Sequence, residues 1–277
     1  MNEARSVGPT IGSDAAAALM APLTELVVRA GNAILAVNRS AMRVDGKPDG
    51  SPVTEADLAA DRIIAEGLAW LAPEIPALSE ERVHSAKPPY EGSFFLIDPL
   101  DGTKEFVAGR SEFTVNVALV TNGTPLLGII GAPALGLVWR GLVGGGAERL
   151  KTGAGSVAEP IRTRALPKPG EPWVVAVSRS HGDSRTEGFI AARPGAVRQM
   201  LGSAVKFGRV AEGGADIYPR LAPTSEWDVA AGHAVVTAAG GKITDGQGND
   251  LQFGRGGGGF IVPQFIAWGD PAAAARA

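Results

Sequence analysis

Residues 96–106, Leu-Ile-Asp-Pro-Leu-Asp-Gly-Thr-Lys-Glu-Phe, set Asp98 and Asp101 three positions apart, with Pro99 between them and Gly102 behind. The apolar run Phe94-Phe95-Leu96-Ile97 comes first, so the backbone leaves a buried element at Asp98. Pro99 fixes its own φ and keeps Asp98 extended, which aims both carboxylates with little freedom. Two like charges in such a place are costly unless a cation lies between them. Hard oxygen ligands suit Mg²⁺, which takes a few carboxylates together with retained waters and phosphate oxygens. Two such ions, roughly 3.5–4 Å apart, can bridge a phosphate, activate water and stabilise a leaving oxygen. The chemistry this points to is phosphate-ester hydrolysis.

Three further carboxylates have suggestive surroundings: Asp57 at a helix start, Glu80 in LSEE (78–81) and Asp228 in SEWDVAAGHAV (225–235). Each also has a plain reading. An Asp-Gly pair makes a turn, and an isolated Asp favours a helix amino end. Glu80 and Glu81 read as a solvated loop, and Asp228 as a cap. Of the three histidines, at 84, 181 and 233, His233 sits on an apolar face and reads as a core residue.

The elements that must position these groups follow from periodicity. Apolar residues at Leu19, Leu23, Leu26, Val27, Ile34 and Leu35 predict a helix from Asp14 to about Asn38, capped by Ser13 or Asp14. RVDGKPDGSPV (43–53) reads as a loop or hairpin, and Thr54-Glu-Ala-Asp57 as a capping-box-like start. The helix behind it uses Leu58, Ile63, Ile64, Leu68 and Leu71, and Pro73 stops it. Short β-rich runs follow at 94–97, 114–120, 126–132 and 137–143. In the second of these, Val115, Val117 and Leu119 alternate with Thr114, Asn116 and Ala118, which predicts a strand with one buried face. A Pro/Gly-rich stretch at 153–172 marks a junction. Beyond it lie strands at 173–177, 241–244 and 260–262 and helices near 184–192, 203–212 and 226–239. GRGGGG (254–259) reads as a flexible loop.

The domain organisation expected is a loose tail (1–14), an α+β domain carrying the acidic residues (15–158) and an α/β domain (159–277). The chain has 277 residues, of which 45% are hydrophobic and 20% charged. That composition builds a substantial core. A net charge of −3 gives no basic field for nucleic acid, so an anionic ligand must be held by local cations or metal. No cysteine is present, which excludes disulfide partners and thiolate chemistry and fits a reducing cytosol. No apolar run approaches the roughly 20 residues of a membrane span.

DPLDGTKEF (98–106) resembles the signature of the lithium-sensitive, Mg²⁺-dependent phosphatases of the inositol monophosphatase superfamily. SPVTEAD (51–57), LSEE, EFTVNVAL (112–119), SRSH (178–181), AEGGADIYPR (211–220) and WDVAAGHAV (227–235) narrow the resemblance to its CysQ-type 3′(2′),5′-bisphosphate nucleotidases. It runs from about residue 15 to 262. It implies a layered α/β/α/β/α sandwich of the inositol monophosphatase and fructose-1,6-bisphosphatase type, with the site in the cleft between two domains. The activity implied is hydrolysis of the 3′-phosphate of adenosine 3′,5′-bisphosphate to AMP and phosphate, clearing a by-product of sulfate activation. Two or three Mg²⁺ ions would serve, with Li⁺ inhibitory. The location implied is cytoplasmic, with peripheral attachment at the inner face of the cell membrane as a variant. The oligomeric state is left open.

Carried over, Glu80, Asp98, Asp101, Asp228 and the Leu100 carbonyl would hold the metals, with Asp57 supporting a further metal or the attacking water. Thr103, paired with Glu80, would orient that water, and the Gly102 and Thr103 amides would receive the scissile phosphate. Lys206 and Arg220 would bind a second phosphate, and Ser178, His181, Ser203 and Tyr218 would line the nucleoside pocket. Lys104 and Glu105 match the nucleotidase form of the motif; the inositol phosphatases have Thr-Asn-Phe there. Ala204 departs from the family, which usually has a second serine at this point, implying weaker or broader nucleotide binding. Alternatives are an inositol or fructose phosphatase of the same superfamily and an inactive binding module. The last would have lost a ligand carboxylate, and none expected is missing.

Overall fold

The computed structural model describes residues 6–39, 42, 44–46, 52–85, 89–153, 155, 157–180, 182–255 and 259–275. The amino-terminal segment is tied down from residue 6 rather than loose. β1 (Ser6–Val7) pairs in parallel with β5 (Tyr90–Glu91), and Ser93 donates its N–H to Pro9. α1 (Ser13–Ala36) follows, with Gly12 at the N-cap position and no side-chain cap, so neither Ser13 nor Asp14 performs that role. Leu23, Leu26, Val27 and Ile34 are buried, whereas Leu35 turns out to solvent. α1 is 24 residues long and contains an 18-residue stretch of mean hydropathy 1.3, the length and composition of a membrane span, which no uninterrupted apolar run had suggested. Here its apolar stripe packs on the sheet and on α2.

β2 (Val44–Gly46) and β3 (Pro52–Thr54) form the expected hairpin, whose turn at 47–51 lies outside the described residues. β3 runs into α2 (Glu55–Leu71), opened by a capping box: Thr54 accepts the Ala56 N–H, and Asp57 accepts the Thr54 N–H. Ile64 and Leu68 are buried there, but Leu58 is exposed, and Ala56 and Ala60 complete the inner face. β4 (Ala77–Ser79) leads to β6 (Ser93–Asp101), the short helix α3 (Thr103–Val107), then β7 (Thr114–Thr121), β8 (Thr124–Ala132), β9 (Leu137–Leu142), β10 (Gly146–Lys151) and β11 (Glu159–Ile161). Their spatial order is β11-β10-β9-β8-β7-β6-β4, antiparallel except for β4 beside β6. β11, just past residue 158, still belongs to this sheet.

The second sheet has the order β13-β12-β14-β18-β16, from β12 (Val174–Ser178), β13 (Val197–Leu201), β14 (Ile217–Arg220), β16 (Lys242–Thr244) and β18 (Phe265–Trp268). β15 (Thr224–Ser225) and β17 (Ile261–Val262) pair separately. The helices are α4 (Ser184–Ala191), α5 (Val205–Ala211), α6 (Glu226–Ala238) and α7 (Pro271–Ala274). Five layers result. α1 and α2 cover one face of the first sheet, α5 and α6 lie between the sheets, and α4 and α7 close the outer face of the second.

This layering explains why β7 is buried on both faces, not one. Val115, Val117 and Leu119 meet α1, while Ala118 and Val120 join the core under α6. Small residues on the second face let the helix approach closely. A Cβ built at Gly128 would lie 2.3 Å from the Ala231 carbonyl oxygen.

Candidate active site

The β6–β7 ladder is regular up to the pair Asp98–Asn116, then shifts register before resuming at Asp101–Thr114. Pro99 has no N–H to continue the ladder, so the interruption falls where the sequence dictates. Within it the Leu100 N–H donates to Asp98 Oδ1 at 3.0 Å. Gly102 then takes φ 91°, a left-handed conformation, and a Cβ there would press on Ser203 Cβ at 3.3 Å. Both facts favour glycine at this turn.

The remaining carboxylates come from helix starts. Asp57 and Asp228 are each the third residue of a helix, and each accepts the N–H of the residue before it, Thr54 at 2.8 Å and Ser225 at 3.4 Å. The helix-start reading and the site reading therefore hold together: capping bonds fix the side chain, and the helix dipole favours its charge. Thr103 Oγ1 lies 3.0 Å from Asp57 Oδ1 and 3.2 Å from the Leu100 carbonyl, so its hydroxyl is tied to Asp57. Thr224 donates its hydroxyl to Asp228. Glu80 opens a 3₁₀ turn over residues 80–85 instead of lying in an open loop.

The cleft above this turn has a volume of about 200 Å³. Of the residues singled out in the sequence, Glu80, Asp101, Gly102, Thr103, Ser178, Ser203, Lys206, Tyr218, Arg220 and Asp228 line it. Asp57, Asp98 and Leu100 are buried beneath it, each 2% exposed or less. His181 lies outside the described residues. Ser180 and Glu105, from the SRSH and DPLDGTKEF motifs, also line the cleft; not anticipated were Thr224, Phe207 and Phe265 in its lining and Asn116 beside Asp98. Nothing in the local sequence marks them, because tertiary contacts bring them in.

The electrostatics divide the cleft. Burial, and then the charges of Glu80, Asp101, Asp228 and Asp57, hold the Asp98 carboxyl well above the usual carboxylate range. Asp228 is pushed up to about 7 by burial and by Asp101. Among the described residues, no three carboxylates converge closely enough to hold an ion as they stand. They share a neighbourhood, but hydroxyls and amides take up their oxygens. Opposite them, burial lowers the Lys206 amine to about 8, against the pull of Asp101. Lys206 Nζ donates to the Ser203 carbonyl at 2.5 Å and lies 5.1 Å from the Tyr218 ring centre. Arg220 donates to the Pro223 carbonyl at 3.2 Å, while its buried Nε has no hydrogen-bond partner among the described residues.

The donor set fits a hard divalent cation. All the donors are oxygens, their mutual repulsion raises Asp98, and the buried Asn116 Oδ1, opposite Asp98, has no partner among the described residues. Comparison with known proteins gives the same direction. A profile described as "Inositol monophosphatase family" matches residues 16–276. The chain belongs to this family. Enzymes of the family are metal-dependent phosphatases. Within it, the chain is 40% identical over 238 residues to the 3′(2′),5′-bisphosphate nucleotidase CysQ of Escherichia coli O157:H7, covering 83% of this chain and 91% of the relative. To the Salmonella typhimurium protein of the same name it is 40% identical over 244 residues, covering 85% and 94%. Among family structures, CysQ from Bacteroides thetaiotaomicron superposes with a TM-score of 0.72 at 31% identity, covering 91% of this chain and 97% of that one. An inositol monophosphatase from Zymomonas mobilis gives a TM-score of 0.75 at 26% identity, covering 95% and 96%.

Proposed function

We propose that the protein is a Mg²⁺-dependent 3′(2′),5′-bisphosphate nucleotidase that hydrolyses the 3′-phosphate of adenosine 3′,5′-bisphosphate to AMP and phosphate in the cytoplasm. The observation that carries the reading is the division of the cleft. An acidic wall under the Gly102 turn faces two cations, Lys206 and Arg220, which a substrate with a single phosphate would not need. The names of the relatives agree with it.

Glu80, Asp98, Asp101, Asp228 and the Leu100 carbonyl would hold Mg²⁺, with Asp57 in support. Bound there, Mg²⁺ supplies an acidified water and neutralises phosphate charge. The chain's own groups do the rest. Thr103, hydrogen-bonded to Asp57, orients the attacking water. Gly102 lets the backbone approach the scissile phosphate without a side chain. Lys206 neutralises the distal phosphate as a point charge, while Arg220 can engage it through two donors. Tyr218 and Ser178 border the nucleoside. Phosphoryl transfer asks mainly for in-line positioning and charge neutralisation, so no protein nucleophile is required.

A phosphate-release panel tests this. With Mg²⁺, release from adenosine 3′,5′-bisphosphate should exceed release from inositol 1-phosphate and fructose 1,6-bisphosphate by at least roughly tenfold, about 1.4 kcal/mol of discrimination. Chelation should abolish it, and Li⁺ should inhibit. Preference for a sugar phosphate would sink the nucleotide reading.

A further inference from the structure

Two carboxylates just past the Gly102 turn reach across the cleft to the turn after β12 and to the loop that leads into α5. Glu105, on α3 and only 3% exposed, accepts the Ser180 hydroxyl and, at 2.6 Å, the Arg110 guanidinium. Glu112, between α3 and β7, pairs with Arg179 and accepts the Gly202 N–H at 3.0 Å. Arg179 also donates to the Met200 carbonyl at 3.0 Å, which ties it to β13. Ser203 completes the set, donating to the Asp101 carbonyl at 3.0 Å and lying 2.5 Å from the Thr114 hydroxyl. Backbone approaches backbone here: a Cβ at Gly202 would lie 2.5 Å from the Glu112 carbonyl oxygen.

An ordinary inter-domain ion pair at a surface does little. These contacts differ in what their far ends carry. Ser178, next to the Arg179–Ser180 attachment, lines the cleft, and so does Lys206, whose amine donates to the carbonyl of Ser203. The near ends flank Gly102 and Thr103. Burial works against the Glu105 charge, but hydrogen bonds from Arg110 and Ser180 and the charges of Arg110 and Arg179 outweigh it and lower the carboxyl's pKa. It therefore stays ionised at neutral pH.

We propose that Glu105 and Glu112 are positioning residues for substrate specificity, fastening segments 178–180 and 201–203 at a fixed span from the Gly102 turn so that only a substrate with two separated phosphates fills both ends. This rests on the nucleotidase reading and deepens it. The carboxylates act through Ser180, Arg179 and Gly202.

The test uses Glu105→Gln, Glu112→Gln and Ser180→Ala in the full chain with Mg²⁺, assayed on adenosine 3′,5′-bisphosphate and on p-nitrophenyl phosphate. Ser180→Ala removes one exposed hydroxyl and keeps the test open if a Gln variant fails to fold. KM for the bisphosphate should rise about tenfold with kcat within about twofold, and p-nitrophenyl phosphate kinetics should not change in Glu112→Gln, whose side chain lies outside the cleft lining. Amide hydrogen exchange in the substrate-free variants should quicken at 178–180 and 201–203. Equal losses on both substrates, or unchanged discrimination and exchange, would overturn the proposal. A wild-type protein with no preference for the bisphosphate overturns the nucleotidase reading and the specificity claim with it. A wild type that has the preference, and variants that keep it, overturn the clasp alone.

Discussion

Asp98 is the residue on which most of the site's charge falls: it is 1% exposed and feels four other carboxylates. Asp98→Asn keeps its shape, removes one negative charge and relieves like-charge repulsion. Phosphate release should fall at least about 100-fold, while the melting temperature in chelator holds steady or rises. A variant that retains activity would remove the carboxylate mechanism. Lys206 makes a pH prediction. Its pKa drops from 10.5 to about 8 because burial and Arg220 outweigh Asp101, Glu112 and Asp228. Between about 8 and 10.5 the unfolded chain holds a proton that the folded chain lacks, so the lysine's contribution to stability rises with pH over that window. Ligand binding runs the other way, since a neutral amine cannot hold phosphate. In initial-rate profiles, kcat/KM for the bisphosphate should fall above about pH 8, a limb absent with p-nitrophenyl phosphate. The acidic turn was legible in LIDPLDGT, whereas roles for Lys206 and Arg220 came only from the resemblance, since a lone lysine on a helix reads as exposed. That Thr103 serves Asp57, that Thr224 holds Asp228, or that Glu105 meets Ser180 was not legible, because each partner is distant in sequence or set by a local turn.

At the scale of elements, close helix approach is the recurring device. Gly232 of α6 lies under the Phe207 ring, where a Cβ would come within 2.2 Å, and Phe207 stacks on Phe265 at 5.3 Å between centroids. Gly232→Ala should cost about 1–3 kcal/mol in urea unfolding and, by displacing Phe207 into the cleft, should weaken substrate binding as well. Periodicity located α1, α2 and α4 to α6 and four strands of the first sheet, since long apolar patterns survive any context. It misjudged β7 because Thr114, Asn116 and Ala118 look like a solvent face. They are small or polar for another reason: Ala118 lies beneath a helix, and Thr114 and Asn116 lie beside a charged cluster. β10 and β13 escaped notice because Glu148, Arg149 and Arg198 interrupt the alternation; Glu148 and Arg198 find ion-pair partners on adjacent elements, and Arg149 pairs with Glu159 and Glu212.

At the scale of the molecule, the site is made of parts from both ends of the chain, so cation binding should couple to global stability. The folded state gathers the carboxylates and the unfolded chain does not. At Mg²⁺ concentrations near 100 times the dissociation constant, unfolding free energy should rise by about 2.7 kcal/mol, and Asp98→Asn should cancel the rise. A calorimetric scan with and without Mg²⁺ reads both. The five layers themselves followed from the resemblance carried by several ordered motifs, whereas strand and helix patterns alone gave only an α/β mixture.

α6 covers the face of the first sheet that exposes Phe94, Leu96, Ala118 and Val120, yet it lies at residues 226–238, more than a hundred positions after β6. During synthesis from the amino terminus, those side chains must wait, uncovered, until ribosomes have made most of the polypeptide. A nascent chain arrested near residue 200 should therefore recruit hydrophobic dyes and chaperones strongly, and extension past residue 238 should release both.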